Sequence, residues 1–244
     1  MAEDVKALCE KIDGCIGSSF MGLSLIDSDY EGFLGMQGMH GHYASSMANK
    51  EADLIIGIGV RFSVGDDAIA IKSGKMYMGM TYQTPATNHL IRNCLMEYAH
   101  GAVVLGSEMS GGIKKLTVHQ CLFSHTDRGL RIKTRRGRGK YAVIDGVEFS
   151  NIVMDNVMTP LVMNMYYFCD PDGHEEIVWS KEHHPVDDTT PYLGRFHFRD
   201  MVCTDCEWAA GYFYGLVEQP IESVTIENVS FTIKPDAQPG RPAM

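Results

Sequence analysis

Two adjacent acids, Asp66 and Asp67, follow Gly65 at the start of a short apolar stretch, and Lys72 comes shortly after them. Paired carboxylates beside a cation are suited to acid/base chemistry on a sugar: one acid protonates the leaving oxygen and the other activates water. Adjacent residues of a regular strand point to opposite faces, so both acids share a cleft only if the chain bends, which Gly65 permits. A plain solvated turn is the alternative interpretation of this Gly-Asp-Asp sequence.

Further polar groups follow the paired acids along the chain. His100 precedes the apolar run 102–105, and Arg131 and Lys133 are two residues apart, which on a strand places both cations on one face. An arginine can hold a carboxylate through two parallel hydrogen bonds, and a lysine adds a point charge. A neutral glycan would need neither, so the pair favours an anionic sugar. The alternative is that both cations belong to the basic run 135–140, interpreted as a solvated loop.

Three motifs occur in order: Gly-Asp-Asp-x-Ile-Ala-Ile-Lys-Ser-Gly from residue 65, His-Gly-(x)3-Leu-Gly-Ser-Glu-Met-Ser-Gly-Gly from residue 100, and Arg-Ile-Lys-Thr from residue 131. This order resembles glycoside hydrolase family 28, the polygalacturonases and related pectin-cleaving enzymes, over about residues 63–234. The resemblance implies a right-handed parallel β-helix. It also implies inverting hydrolysis of α-1,4 bonds between galacturonic acid units, with polygalacturonate or an oligogalacturonide as the substrate.

The resemblance also implies a role for each candidate residue. Asp66 would be the general acid and Asp67 one of the bases that hold water. His100 would tune the acid, while Arg131 and Lys133 would grip the carboxylate of the substrate.

The segment after residue 160 carries the last candidates. The family usually has an aromatic residue near Tyr167 that stacks on or hydrogen-bonds the sugar, although a tyrosine at a strand end can equally serve packing. His183, His184, Asp187 and Asp188 could be interpreted as metal ligands. We interpret them as part of a solvated loop between 170 and 195, and we expect no metal site.

Short apolar strands separated by turns fill the rest of the chain. The amides Asn93, Gln120 and Asn151 lie 27 and 31 residues apart within strands of similar pattern. Such a period suits the coils of a solenoid, in which equivalent side chains stack. A β-sandwich would also give short alternating strands, but it would not explain the recurring amide. The predicted fold is therefore an all-β parallel β-helix over 63–244.

The first 62 residues predict a different structure. Residues 3–12 have apolar side chains at helical spacing, and 52–59 is typical of a fully buried parallel strand, which together indicate a short α/β fragment. Residues 3–62 resemble the central domain of the acetolactate synthase large subunit. The thiamine diphosphate motif and most of that enzyme are missing, so we expect no cofactor. Two families adjoining near Phe62 and Ser63 indicate a chimeric chain.

The join has a consequence for the chemistry. Family 28 enzymes resemble one another in an Asn-Thr-Asp or Asn-Pro-Asp element about twenty residues before the paired acids, and that position falls here near residues 44–46. The nearest acids, Glu51 and Asp53, lie in the foreign segment and out of register. We expect an impaired enzyme. A non-catalytic pectin-binding β-helix and a non-functional chimeric fragment are the alternatives.

Composition excludes other classes of protein. A formal net charge of −10 over 244 residues argues against general nucleic-acid binding, and no apolar run reaches the ~18 residues of a membrane span. Seven cysteines without a paired spacing pattern indicate buried thiols of a reducing compartment. The first residues lack a secretion signal, so the expected location is cytoplasmic. The sequence leaves the oligomeric state open.

Overall fold

The computed structural model describes residues 2–19, 22–37, 41–52, 55–57, 61–63, 65–169, 171–238 and 240. The chain divides into two compact units, residues 1–60 and residues 61–244. None of the helices within these described ranges is both long enough and apolar enough to cross a membrane.

The first unit has four elements. They are α1 (Ala2–Ile12), β1 (Ile16–Ser18), β2 (Phe33–Met36) and α2 (Tyr43–Glu51). The helix predicted over 3–12 is confirmed as α1, which carries acids in its first turn and Lys11 in its last, as the helix dipole favours. Strands β1 and β2 pair in parallel, and a small core of Cys9, Ile16 and Ile26 lies beneath them.

The buried strand predicted over 52–59 is wrong for the part that the structure describes. Residues 55–57 lie in no helix or strand, and Ile55 and Ile56 are 55% and 49% exposed. A parallel strand buried on both faces needs neighbouring strands and covering helices. Among its described residues, the first unit offers only the two-stranded pair β1–β2. Residues 53, 54, 58 and 59 lie outside the described ranges.

Most of the regular elements of the second unit are strands. In chain order they are β3 (Arg61–Ser63), β4 (Ile69–Ile71), β5 (Ala86–Arg92), β6 (Leu95–Glu97), β7 (Val103–Gly106), β8 (Ile113–Ser124), β9 (Arg128–Lys133), β10 (Val143–Asp155), β11 (Thr159–Asn164), β12 (Tyr192–Leu193), β13 (Arg195–Cys206), β14 (Gly211–Tyr214) and β15 (Ser223–Ile233). Helix α3 (Met76–Tyr82) follows β4, and α4 (Glu176–Trp179) lies between β11 and β12.

These strands form two parallel sheets that the chain visits alternately. One sheet has the order β15-β13-β10-β8-β6-β3, with β5 beside β8 and β12 beside β10, and the other has the order β14-β11-β9-β7-β4. Every strand pair in both sheets is parallel. A β-sandwich of antiparallel sheets is therefore excluded, and the predicted parallel β-helix is confirmed.

The recurring amides mark a corner that is repeated in successive coils. Asn93, Gln120 and Asn151 occupy equivalent positions in neighbouring coils, and all three have left-handed backbone angles, with φ of 54°, 52° and 52°. Asp200 and Asn228 continue the series at 52° and 49°, and the Asn228 amide donates a hydrogen bond of 2.7 Å to Asp200. Asn and Asp tolerate this conformation better than other residues with a side chain, which explains the period.

The core runs along the axis of the helix between the two sheets. Phe149 packs against Phe123 and Phe198, with ring centroids 6.5 Å and 5.7 Å apart, and all three rings are fully buried. Cys203 and Cys206 are free and buried as predicted, and burial raises the pKa of Cys203 to about 12. The expectation of buried thiols fails at Cys15, which is exposed because it follows α1 outside the core.

Candidate active site

Strands β4, β7 and β9 lie side by side and position the candidate residues. On β9, Leu130 and Ile132 point into the core, so Arg131 and Lys133 between and beyond them point outward. Arg131 lies opposite Val104 of β7, and Lys133 lies opposite Gly106. The predicted shared face of the two cations is therefore confirmed.

Asp67 meets both cations in front of these strands. Lys133 Nζ donates a hydrogen bond of 2.6 Å to Asp67 Oδ2, and Arg131 Nη1 lies 3.9 Å from Oδ1. The three side chains are only 9–14% exposed, so the charges are largely removed from water. Asp67 Oδ1 is buried and has no hydrogen-bond partner among the described residues. A buried carboxylate oxygen without a hydrogen bond costs free energy, and a hydrogen bond donated by a water molecule or a hydroxyl group would remove that cost.

The turn before β4 separates the environments of the paired acids. Gly65 has φ of +96°, a conformation that residues with a side chain rarely adopt, and the Asp67 amide donates a 2.7 Å hydrogen bond to Asp66 Oδ1. Asp66 is exposed, whereas Asp67 is partly buried against its cations. The bend expected at Gly65 is present, and it leaves one acid open to solvent beside one that is held in an ion pair.

His100 lies in the neighbouring coil from Asp66. Its backbone amide donates to the Asp66 carbonyl at 3.2 Å, and its Nδ1 lies 2.8 Å from Asp127 Oδ2. The buried Arg128 guanidinium also donates to that oxygen, at 3.1 Å, and lies 5.4 Å from the Trp208 ring. Asp127 therefore orients the imidazole and is itself fixed by Arg128. Because the Nδ1–H group of His100 donates to the Asp127 carboxylate, the other ring nitrogen, Nε2, is left for other partners.

The sequence alone does not identify Asp127 and Arg128 as residues of the site. Both stand within the stretch that carries Arg131, and Asp127 has no spacing pattern of its own. Only the register identifies it, because Asp66, His100 and Asp127 occupy the same position in three successive coils.

Tyr167 covers the cationic pair. Its ring centroid lies 5.7 Å from the Arg131 guanidinium and 5.6 Å from Lys133 Nζ, and its amide donates to the Thr134 carbonyl at 3.0 Å. Burial raises the pKa of Tyr167, and the positive charge of Arg131 opposes that rise only in part. The ring and its hydroxyl group therefore lie beside the cations and the paired acids. The structure brings all six predicted residues together on or beside β4, β7 and β9.

Lys72 and Glu108 form an ion pair close to Gly106 of β7. Lys72 forms an ion pair and hydrogen bond with Glu108, so it is not the cation beside the paired acids that the sequence suggested. Partial burial favours a high pKa for Glu108, but the hydrogen bond from Lys72 and the charge of Lys72 together outweigh it, and the pKa lies below its usual value. Glu108 is therefore not a free carboxylate in the cleft.

The basic run 135–140 is not the solvated loop that its composition predicts. Arg135, Arg136 and Arg138 are buried. Arg135 donates to Asp172 at 2.7 Å, and Arg136 donates to Glu218 at 2.5 and 2.9 Å. The run holds the connection between β11 and β12 against the solenoid, which is a structural role distinct from that of Arg131 and Lys133.

His184, Asp187 and Asp188 have ordinary partners within the protein. Asp187 accepts hydrogen bonds from Thr189, Asp188 pairs with Lys140 at 3.0 Å, and His184 lies 3.0 Å from the Ser180 hydroxyl. Across the described ranges, no group of three or more His, Cys, Asp or Glu side chains is placed to hold a metal ion.

Comparisons with known proteins identify two families in the chain. The thiamine pyrophosphate enzyme central domain matches residues 1–76. The acetolactate synthase large subunit of Lactococcus lactis is 41% identical over 71 residues, which are 29% of this chain and 12% of that protein. This agreement confirms the predicted resemblance of the first segment, and it covers only a small piece of the synthase.

The remainder resembles polygalacturonases. A probable polygalacturonase of Vitis vinifera is 28% identical over 176 residues, 71% of this chain and 33% of that protein, and an exo-poly-alpha-D-galacturonosidase of Dickeya chrysanthemi is 32% identical over 112 residues, 46% and 18%. The crystal structure of an exopolygalacturonase from Thermotoga maritima matches with a TM-score of 0.59 and 26% identity, over 69% of this chain and 35% of that one. The chain thus spans about a third or less of these relatives.

The family model of glycosyl hydrolases family 28 matches residues 49–176. This range is more than half of the chain and contains all six candidate residues. The parallel β-helix and the order of the cleft motifs agree with this match. We conclude that the chain belongs to glycosyl hydrolases family 28.

Proposed function

We propose that this chain carries the site of a polygalacturonase-like glycoside hydrolase that cleaves α-1,4-galacturonosyl bonds of pectin by inversion, at a strongly reduced rate. The observation that carries the proposal is the position of Asp67, held by Lys133 and Arg131, directly beside the exposed Asp66. The relatives are named for cleavage of polygalacturonate, which supports the substrate class.

The two acids differ in the way that an inverting reaction requires. Asp66 is solvent-exposed and able to reach a leaving oxygen, so it acts as the general acid. Asp67 is held in place by Lys133, and its carboxylate acts as the base that holds the attacking water. His100, oriented by Asp127, lies in the coil next to Asp66 and assists the acid.

Arg131 supplies the main grip on the galacturonate carboxylate. Lys133 already makes a short hydrogen bond to Asp67, whereas the contact of Arg131 with Asp67 is long, at 3.9 Å. The guanidinium therefore retains donors for a second carboxylate, and Tyr167 beside it offers a ring face for the sugar. A methyl-esterified unit has no carboxylate for Arg131 and is a poor ligand.

The reduced rate follows from the upstream segment. Residues 44–46, where the family's further carboxylate is expected, lie in helix α2 of the first unit and contain no acid. Glu51 is the last residue of that helix, and Asp53 lies outside the described residues. Glu108 is paired with Lys72 and does not substitute for the missing acid. We place the join between the two families near Phe62 and Ser63.

A non-catalytic pectin-binding β-helix is the second candidate function. It is favoured by the same helix α2, because a cleft with Arg131, Lys133 and Tyr167 but without the upstream carboxylate retains its binding groups and loses part of its acid/base set.

Release of reducing ends from polygalacturonate tests the proposal. We expect slow turnover that Asp66→Asn abolishes, while Asp205→Asn, at an exposed left-handed corner that asparagine also tolerates, leaves it unchanged. Fast turnover abolished by Asp66→Asn would disprove the impairment, and turnover insensitive to Asp66→Asn would disprove the site. Retained binding of oligogalacturonate without any turnover would establish the non-catalytic alternative.

A further inference from the structure

Two free thiols lie side by side in neighbouring coils, next to the corner that Asn93 and Gln120 mark. The Asn93 amide donates to the Gln120 carbonyl at 3.1 Å, and the Leu122 amide donates to the Cys94 carbonyl at 3.0 Å. These two hydrogen bonds lie on either side of Cys94 and Cys121, so the register places the two cysteines opposite each other. Neighbouring strands are ~4.8 Å apart, which is within the Cα separation of ~4.4–6.8 Å that a disulfide spans.

The two side chains have the same orientation. Cys94 Sγ donates to the Arg92 carbonyl at 3.2 Å, and Cys121 Sγ donates to the His119 carbonyl at 3.3 Å, in each case two residues earlier in the chain. Cys121 Sγ also lies 3.9 Å from the Ile91 carbonyl oxygen of the neighbouring strand. A thiol is a weak donor, so these contacts hold the sulfur atoms only weakly. The sulfur atoms are therefore stacked, and side-chain rotation brings them together.

The two thiols differ in their access to solvent. Cys94 is partly exposed, whereas Cys121 is only 4% exposed. Burial raises the pKa of both thiols, that of Cys121 to about 11. An external reagent therefore reaches Cys94 first, and Cys121 is shielded until its neighbour has reacted.

We propose that Cys94 and Cys121 are a reversible oxidation site at which a small disulfide, such as oxidised glutathione, introduces a disulfide bond between two coils. The Cys94 thiolate attacks one sulfur of the small disulfide and releases one thiolate, which leaves a mixed disulfide at Cys94. The Cys121 thiolate then attacks the Cys94 sulfur and releases the second thiolate. The protein loses two electrons and two thiol protons, and the small disulfide is reduced to two thiols.

The bond encloses one complete coil of the solenoid. Residues 94–121 contain β6, His100 and β7, so the bond fastens the coil that carries His100 to the next coil, which carries Arg131 and Lys133. A cross-link across a loop of this length restricts the unfolded chain and so favours the folded one. The inference is independent of the proposed function, because its test requires neither a sugar nor turnover.

Treatment of the folded chain with oxidised glutathione, followed by blocking of the remaining thiols and peptide mass spectrometry, tests the site. We expect a pair of peptides linked through Cys94 and Cys121, which dithiothreitol separates. Cys121→Ser lacks the second thiol and should accumulate a glutathione adduct at Cys94. In Cys94→Ser, Cys121 should stay unmodified. The unsubstituted chain gives its own result even if a serine variant fails to fold.

Cys203 and Cys206 are the matched control pair. They are also free and close enough for the charge of Cys206 to raise the pKa of Cys203, but both are fully buried, so they should stay reduced. Reduced Cys94 and Cys121 after the treatment, or a glutathione adduct at Cys94 without the link to Cys121, would refute the site. Linkage of the control pair at the same rate would refute it too, because oxidation would then not depend on exposure.

Urea unfolding of the oxidised chain, followed by the fluorescence of Trp179 and Trp208, tests the fastening of the two coils. We expect the midpoint to rise by about 1 M on oxidation and to return after reduction with dithiothreitol. An unchanged midpoint in a chain that carries the link would refute the fastening.

Discussion

Replacing Lys133 by methionine should destabilise the second unit because it leaves Asp67 almost buried without its main partner. At an effective dielectric constant of ~20, the attraction between unit charges is about 6 kcal/mol at the 2.6 Å separation of Lys133 and Asp67, and about 4 kcal/mol at the 3.9 Å separation of Arg131 and Asp67. Desolvation offsets much of this. Breaking a buried pair by removing one partner typically costs about 3–5 kcal/mol.

A double-mutant cycle separates the pair from its surroundings. We expect Lys133→Met to lower the free energy of unfolding by about 3 kcal/mol and Asp67→Asn by about 2 kcal/mol. The double variant should lose only about 2 kcal/mol, because neither partner is left as an unpaired buried charge. The coupling energy is then about 3 kcal/mol.

Urea unfolding followed by tryptophan fluorescence measures these values for the second unit alone, since Trp179 and Trp208, the only tryptophans, both belong to it. The pair of Lys140 and Asp188 is the matched control. Its side chains are 47% and 76% exposed, so its coupling should stay below about 1 kcal/mol. Single-variant losses at Lys133 and Asp67 that add to within about 0.5 kcal/mol would refute the pairing.

Three further predictions concern the hydrogen bond to His100, the ion pair between Asp145 and Arg195 near the starts of β10 and β13, and the core. Asp127→Asn should replace the single Nδ1–H tautomer of His100 by a mixture, because an uncharged amide oxygen accepts more weakly than the carboxylate, whose hydrogen bond is worth about 2 kcal/mol; unchanged ring nitrogen NMR shifts would contradict this. Hydrogen bonds from Arg195 lower the pKa of Asp145 from 3.8 to about 2, so this pair stabilises the fold above pH ~4 and the effect fades towards pH 2. Because Arg195 is 67% exposed, Asp145→Asn should cost only about 1 kcal/mol at pH 7 and less at pH 3, and an equal loss in urea unfolding at both pH values would argue against it. Phe149→Ala should lower the free energy of unfolding by about 3–5 kcal/mol, and a loss below about 1 kcal/mol would exclude the packed aromatic core.

The fold was predictable where a backbone requirement repeats in the sequence. Asn93, Gln120 and Asn151 recur because each corner needs a left-handed residue, and this requirement appears as a spacing of about one coil. The spacing does not identify Asp200 as the next corner residue. It lies 49 residues after Asn151, because the connection that contains α4 and β12 is inserted between those corners. An aspartate can also adopt the left-handed conformation that the corner requires, but a pattern of amide side chains does not include it.

The candidate site was predictable in its residues but not in its pairings. Arg131 and Lys133 alternate with core residues over a few positions, so their shared face follows from local geometry. The partners of Arg135 and Arg136 stand 37 and 82 residues later in the chain, and no local pattern specifies them. Composition alone therefore predicted a solvated run where the structure has buried ion pairs.

The same limit applies between neighbouring coils. The pair of Lys72 and Glu108 and the contact between His100 and Asp127 depend on the register of adjacent strands, which is set by the lengths of the intervening turns. The error over 52–59 has a different origin. An apolar run was interpreted as a buried strand, but burial also requires neighbours, which the described part of the first unit does not provide.

The proposed function depends most on Arg131, with Lys133 and Tyr167 beside it, recognising the carboxylate of an acidic sugar. Its most direct test is the affinity of the Asp66→Asn protein for trigalacturonate compared with its fully methyl-esterified form, measured at low ionic strength. We expect the acid to bind at least about tenfold more tightly, since esterification removes a charge-assisted hydrogen bond worth about 1.5–3 kcal/mol. Equal affinity for the acid and the ester would contradict the account.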